Sequence, residues 1–337
     1  MRLDFIRPLY ERHSPYASLY LAGLSAEAER RRWRSFRESM EEADQDSLDA
    51  LEAAVAVPAP GRALFATGGE VVLAETLADP PRLEQARWSP LPHVTPLLMA
   101  RGENVPHLRV VLDRDGVELM AFGGGSPRVA TEAAQKWPLQ RTAQGGWSRK
   151  SYKGAVDESS EHDAETVAHE VDEQVRRISA ELVVVAGEPR SRSLLCDHLG
   201  TKAADRVMMA EQGSRADHDE YEHDVECTLD AWLEQRRSEL LDRRREHEEA
   251  VGFERVARLL REGRVHAVLS PGELPDLVWI GAGGTQLSAD ADELRRWGVE
   301  SPVRERADSA IARAAAMTDA ELWFSPEVKQ VSAVIRY

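Results

Sequence analysis

Residues Lys136 to Lys153 read KWPLQRTAQGGWSRKSYK, and they concentrate Lys136, Arg141, Arg149, Lys150 and Lys153 without a single carboxylate. The chain as a whole carries a formal net charge of −16, so this stretch opposes its surroundings and calls for an anionic partner. At its centre Gln144-Gly145-Gly146-Trp147 sets two glycines, which tolerate positive φ, beside an indole. Such a tip lets backbone approach a ligand closely. Trp137, Trp147 and Tyr152 lie among the cations, and aromatic faces interleaved with Arg and Lys suit unpaired bases on a sugar-phosphate backbone. Terminal or single-stranded RNA fits this chemistry; a solvated loop that is merely basic fits the composition equally well.

The elements that must hold this loop are legible on either side. Leu108 to Phe122 reads as two strands turned at Asp115-Gly116, a hairpin signal. Asp157 to Ser179 reads as a helix with acids first and Arg176-Arg177 last, as the helix dipole favours. Glu181 to Gly187 is continuously apolar, which predicts a strand buried on both faces, with a helix after Pro189.

Around that centre the chain is an ordinary α/β sequence, 337 residues with 42% apolar and 30% charged residues, long enough for two or three domains. Residues 17–21 predict a strand, Ser25 a helix start, and the helical pattern runs to about Ala56. Residues 62–74 predict a hairpin across Gly68-Gly69. Six prolines between Pro80 and Pro106 predict an extended crossing that resists helix. Residues 214–263 are charged and mostly helical, broken at Gly252, and carry the chain into a last α/β segment. That segment has strands near 263–270, 320–324 and 331–337 and a helix over 307–317.

Several classes of function lose support. No stretch approaches the roughly 18 uncharged apolar residues of a membrane span, and the N-terminus lacks an apolar leader, so a cytoplasmic protein without membrane contact is expected. Strong acidity disfavours general nucleic-acid coating and confines such binding to a local patch. Arg30 to Arg34, beside Glu27, Glu29 and Glu38, read as a solvated helix face. Gly123-Gly124-Gly125 and Gly281 to Gln286 read as turns, since neither has phosphate-loop spacing. His218 and His223 lie among acids but are five apart, which does not converge on one helix face, so no metal is expected. Cys196 and Cys227 predict buried thiols, and no Cys-His pairing is evident. The GxSxG, HExxH, GxxxxGK[ST] and GxGxxG fingerprints are absent, which weighs against orthodox hydrolases and nucleotide-fold enzymes and leaves no cofactor implied.

The order of these parts, a hairpin, a basic Gly-Gly loop, a long helix with an acidic start, a buried strand, a charged connector and a last α/β segment, resembles the archaeal and eukaryotic class-1 release factors. More specifically, it resembles their bacterial relatives common in actinobacteria. It is strongest from Leu108 to Gly187, and its most specific motif is Gln144 to Lys150. The resemblance implies an α/β protein of three domains: 1–104 in the position of the decoding domain, 105–235 as a ribonuclease H-like domain with the basic loop, and 236–337 as a C-terminal α/β domain of the release-factor type. Release factors carry Gly-Gly-Gln at this loop, which enters the peptidyl-transferase centre and helps water attack the peptidyl-tRNA ester. Gly145 and Gly146 match; Trp147 stands where the glutamine would be, and Gln144 lies three positions early. The carboxamide that would position water is missing, although the Trp147 backbone N–H keeps an oxyanion-donor role open.

The first segment also lacks the Asn-Ile-Lys-Ser motif that reads stop codons. What the resemblance then implies is a factor of the ribosomal A site, near the hibernation factors of the Balon type that act with elongation factor Tu. Arg141, Gln144, Trp147, Arg149, Lys150 and Lys153 would contact rRNA or P-site tRNA. A peptidyl-tRNA hydrolase acting in ribosome rescue is the enzymatic alternative, and a non-ribosomal adaptor that docks proteins on its acidic surface is the third.

Overall fold

A computed structural model describes residues 1–12, 14–23, 26–55, 60–77, 79–103, 105–113, 116–122, 148–152, 160–210, 218–246 and 250–336. The chain forms two compact units, one of Met1–Glu103 with Arg237–Tyr337 and one of Asn104–Arg236.

The first segment opens with a 3-10 helix, Asp4–Tyr10, followed by β1 (Tyr16–Ala22), α1 (Ala26–Ser39), α2 (Gln45–Val55), β2 (Gly61–Thr67), β3 (Glu70–Leu77), β4 (Gln85–Ser89) and α3 (Thr95–Glu103). The strands form one antiparallel sheet in the order β3-β2-β1-β4. Strand alternation divides its side chains: Leu19, Leu21 and Leu64 face Trp33 of α1, Met40 in the turn after it, and Leu48 and Leu51 of α2. Tyr20 and Phe65 point the other way and meet edge to face, ring centroids 5.9 Å apart. The expected hairpin turns at Gly68 and Gly69, both at positive φ.

Two expectations fail here for identifiable reasons. The long helical pattern is broken because Asp44 accepts a hydrogen bond from Ser47 N at 2.8 Å, capping a second helix that starts afresh. The proline-rich stretch is extended only in part, for after the strand β4 it contains the helix α3. Pro96 falls in the first turn of α3, where a missing N–H deprives the helix of nothing. Tyr20 Oη supplies one of the acceptors that this helix start needs, taking a bond from Leu97 N at 3.3 Å and donating to His93 O at 2.7 Å.

The second unit contains β5 (His107–Asp113), β6 (Gly116–Phe122), β7 (Ser148–Tyr152), α4 (Ser160–Arg177), β8 (Leu182–Gly187), α5 (Pro189–His198), the single turn α6 (Thr201–Ala204), β9 (Val207–Met209) and most of α7 (His218–Arg245). Its five strands lie in the order β7-β6-β5-β8-β9. The first three form an antiparallel meander, and β8 and β9 run parallel to β5. That order and those senses are the ribonuclease H-like topology. Leu108, Val110, Leu112, Val183 and Val185 pack on Val167, Val171 and Val175 of α4, while Val111, Val184 and Ala186 meet Val225, Leu229 and Trp232 of α7. The apolar run of β8 is thus covered on both faces, as its composition requires. Gly187 takes φ +110°, and a Cβ there would lie 1.8 Å from Leu112 O, so the end of β8 needs glycine.

The last segment continues with α8 (Phe253–Arg261), β10 (Val265–Ser270), β11 (Leu277–Ile280), β12 (Leu287–Ser288), α9 (Ala291–Arg296), β13 (Val303–Arg306), α10 (Ala307–Met317), β14 (Glu321–Phe324) and β15 (Ser332–Ile335). Two three-stranded sheets, β14-β10-β15 and β12-β11-β13, flank α10. Six of the eleven residues of this helix are alanine, and it is buried around most of its circumference, which marks it as central. Its buried Arg313 donates to Gly281 O at 2.9 Å and Gln286 O at 3.1 Å, fixing the glycine-rich turn that the sequence predicts there. The first and last segments share one core, because Met1 exchanges backbone hydrogen bonds with Leu322 in both directions at 3.0 Å. Arg7 Nε also donates to Ala316 O at 2.9 Å.

Candidate nucleic-acid interface

The basic loop leaves the central sheet at Phe122 and returns at Ser148, so its two ends are neighbouring antiparallel strands. Arg149 stands opposite Met120 and Lys150 opposite Leu119. Arg141, Gln144, Gly145, Gly146, Trp147 and Lys153 lie outside the described residues, as do Gly123 to Gly125, where the sequence predicts a turn.

At the root of this strand pair is a buried cluster that sequence reasoning missed. His107 is the first residue of β5 and stands opposite Phe122, the last of β6. Their rings stack with centroids 4.8 Å apart and planes 4° apart. The Arg109 guanidinium carbon sits 3.9 Å over the same Phe122 ring, and its Nε donates to His107 Nε2 at 3.1 Å. Because Nε2 accepts, the imidazole proton is assigned to Nδ1, which then donates to Val105 O at 2.9 Å. The signal becomes readable only with the observed register, which pairs Asp113 with Gly116 in place of a turn at Asp115-Gly116: His107 and Arg109 then fall on one face of β5 as an i, i+2 pair and Phe122 stands opposite His107. Glu118 is buried on the same face of β6. The base of the loop is therefore fixed by hydrogen bonds and ring stacking.

A second polar cluster lies within the other unit, where the first and last segments meet. Glu305 accepts from Leu91 N at 2.8 Å, and Asp308 accepts from Arg306 Nε at 3.0 Å and from Leu274 N at 3.0 Å. Glu273 also pairs with Arg306, at 2.9 Å. Burial pushes the Glu305 carboxyl above the usual carboxylate range, whereas the Asp308 hydrogen bond raises the Arg306 guanidinium. His93 is fully buried beside this group, its ring edge-on to Tyr20 at 6.4 Å and its Nε2 3.9 Å from Glu273. Neither ring nitrogen has a hydrogen-bond partner, and burial lowers the imidazole to about 4. The ring is neutral at physiological pH, and its pairing with Glu273 is a contact without charge.

The cysteines depart from expectation. Cys196 is half-buried, with burial pushing its thiol up, while Cys227 is exposed on α7 and faces His223, one turn away, at 3.7 Å. A Cys-His pair is therefore present, at an i, i+4 spacing distinct from the five residues that separate His218 and His223. Among the described residues no group of three or more His, Cys, Asp or Glu side chains converges as a metal cage, and no helix is long and apolar enough to cross a membrane.

The sheet order and the loop position define a mixed α/β protein whose central sheet is ribonuclease H-like. Residues 106–250 match the model of bacterial archaeo-eukaryotic release factor family 2, so that this part of the chain is similar to that family. Two curated relatives, the uncharacterized proteins MT2704 and Rv2629 of Mycobacterium tuberculosis, are each 28% identical over 345 residues, covering 96% of this chain and 92% of theirs. Among solved structures the archaeal translation termination factor aRF1 aligns at 14% identity over 98% of this chain and 96% of its own, with a TM-score of 0.23. Dom34 of S. cerevisiae, a translation termination-like factor, aligns at 7% identity over 98% and 92%, with a TM-score of 0.39.

Proposed function

We propose that this protein occupies the ribosomal A site and extends the Gly145-Gly146-Trp147 tip toward the acceptor end of P-site tRNA, acting in ribosome hibernation without reading a stop codon. The observation that carries the reading is the family match itself, because residues 106–250 include both strands that bound the basic loop and the loop between them. Trp147 in place of the release-factor glutamine favours occupation over ester hydrolysis, since an indole can stack on a base but offers no carboxamide to orient water. Arg141, Gln144, Arg149, Lys150 and Lys153 would hold rRNA or tRNA phosphates through charge-assisted hydrogen bonds. Elongation factor Tu is the partner that this reading implies for delivery, and the cytoplasm its compartment.

The reading is tested by equilibrium binding to 70S ribosomes across a salt series, for the natural chain and for Arg149→Glu with Lys150→Glu. Two lost phosphate contacts would weaken binding and flatten the slope of log K against log salt by roughly 0.7–0.9 per contact. Equal affinities and equal slopes would remove the loop from the interface.

A further inference from the structure

Helix α7 presents His223 and Cys227 one turn apart, both exposed, with Nε2 and Sγ 3.7 Å from each other. A tetrahedral zinc ion holds a thiolate at about 2.3 Å and an imidazole nitrogen at about 2.0–2.1 Å, which places the two ligand atoms about 3.6 Å apart. The side chains therefore already stand at the separation that one shared cation requires. The turn that bears them is anchored from behind, for Val225 is fully buried and Leu229 packs against the same cluster under the sheet. Asp224, Glu226 and Asp230 surround the pair in sequence. Carboxylates beside the pair favour a bound cation.

We propose that His223 and Cys227 form a two-ligand site for a borderline-soft divalent cation of the zinc class. Binding releases the Cys227 proton to solvent, the sulfur gives an electron pair to the metal, and His223 binds as neutral imidazole through Nε2. No third His, Cys, Asp or Glu among the described residues completes the shell, so water fills the remaining positions and the ion exchanges readily. This site stands independently of the ribosomal reading.

The test is titration of the reduced full-length protein with Co²⁺, followed by its thiolate-to-cobalt charge-transfer absorption. The band should saturate stoichiometrically, vanish when Zn²⁺ is added in competition, persist in Cys196→Ser and be lost in Cys227→Ser. His223→Ala should weaken Co²⁺ by about tenfold or more, equivalent to at least about 1.4 kcal/mol. Both α7 substitutions replace exposed side chains, so unchanged circular dichroism will separate lost binding from lost folding. Absence of the band in the natural chain, or a titration that His223→Ala leaves unchanged, would overturn the proposal.

Discussion

His107 and Phe122 stack ring on ring at 4.8 Å, tying the first residue of β5 to the last residue before the basic loop. Arg109 covers the other contact of that phenyl ring and supplies the hydrogen bond that His107 Nε2 accepts. Removing the ring should therefore loosen the base of the loop as well as the core. Phe122→Ala is expected to destabilise the central unit by about 2 kcal/mol, read by urea unfolding. Arg109→Met should cost about 1–3 kcal/mol, because it removes a buried hydrogen bond to the His107 ring and the cation over Phe122. A loss below about 0.5 kcal/mol in both variants would show that the stack is incidental.

Gly187 and Gly68 both take positive φ, yet they should respond differently to alanine. At Gly187 the new Cβ would meet the Leu112 carbonyl at 1.8 Å, whereas nothing lies within 4 Å of the corresponding position at Gly68. Gly187→Ala should fail to fold or lose more than about 3 kcal/mol, while Gly68→Ala should lose only about 1 kcal/mol. Thermal unfolding of the two variants side by side measures the contrast, and equal losses would contradict the packing described at the end of β8.

Stability should fall with acid through a histidine. His93 titrates near 6.5 when unfolded and is lowered to about 4 when folded, chiefly by burial. Asp308 acts in the opposite sense, and Arg306 and Arg87 add to the lowering. Glu273 lies within 3.9 Å, and Tyr20 packs on the ring. As pH drops from about 6.5 toward 4, the unfolded chain takes up a proton that the folded chain refuses. The interval of about 2.5 pH units corresponds to about 3 kcal/mol of stability lost.

Burial also raises Glu75 and Glu305, and these shifts act the other way, favouring the folded state as pH falls through the carboxylate range. The histidine contribution is therefore read as the difference between the natural chain and His93→Met over pH 7 to 4. That difference should shrink or reverse in favour of the variant on acidification. A parallel pair of curves would show that His93 titrates alike in the folded and unfolded states.

Much of the fold is written locally. The apolar run at Glu181 to Gly187 and the helix predicted over Asp157 to Ser179 each follow from one stretch of sequence, and the strand Leu182–Gly187 and the helix Ser160–Arg177 are found there. The hairpin at 108–122 also forms, but with Gly116 paired to Asp113 inside the ladder, so that the connection falls at 114–115, outside the described residues, and not at Asp115-Gly116. The misreadings have equally local causes, Asp44 capping a new helix and Pro96 sitting at a helix start instead of interrupting one. The polar cluster was illegible for a different reason. His93 meets Glu273 and Leu91 meets Glu305 across more than 170 residues, and no periodicity encodes such a meeting. The His107, Arg109 and Phe122 cluster lies between these extremes, since it becomes visible once strand register is known.

The central claim is occupation of the ribosomal A site by a loop that no longer hydrolyses. Its most direct test is co-sedimentation with 70S ribosomes, vacant or carrying labelled peptidyl-tRNA, while release of the peptide is followed. Binding to ribosomes without peptide release, weakened by Trp147→Ala, is the predicted result. Failure to bind either ribosome at low salt would contradict the account, and binding accompanied by rapid release would replace occupation with hydrolysis.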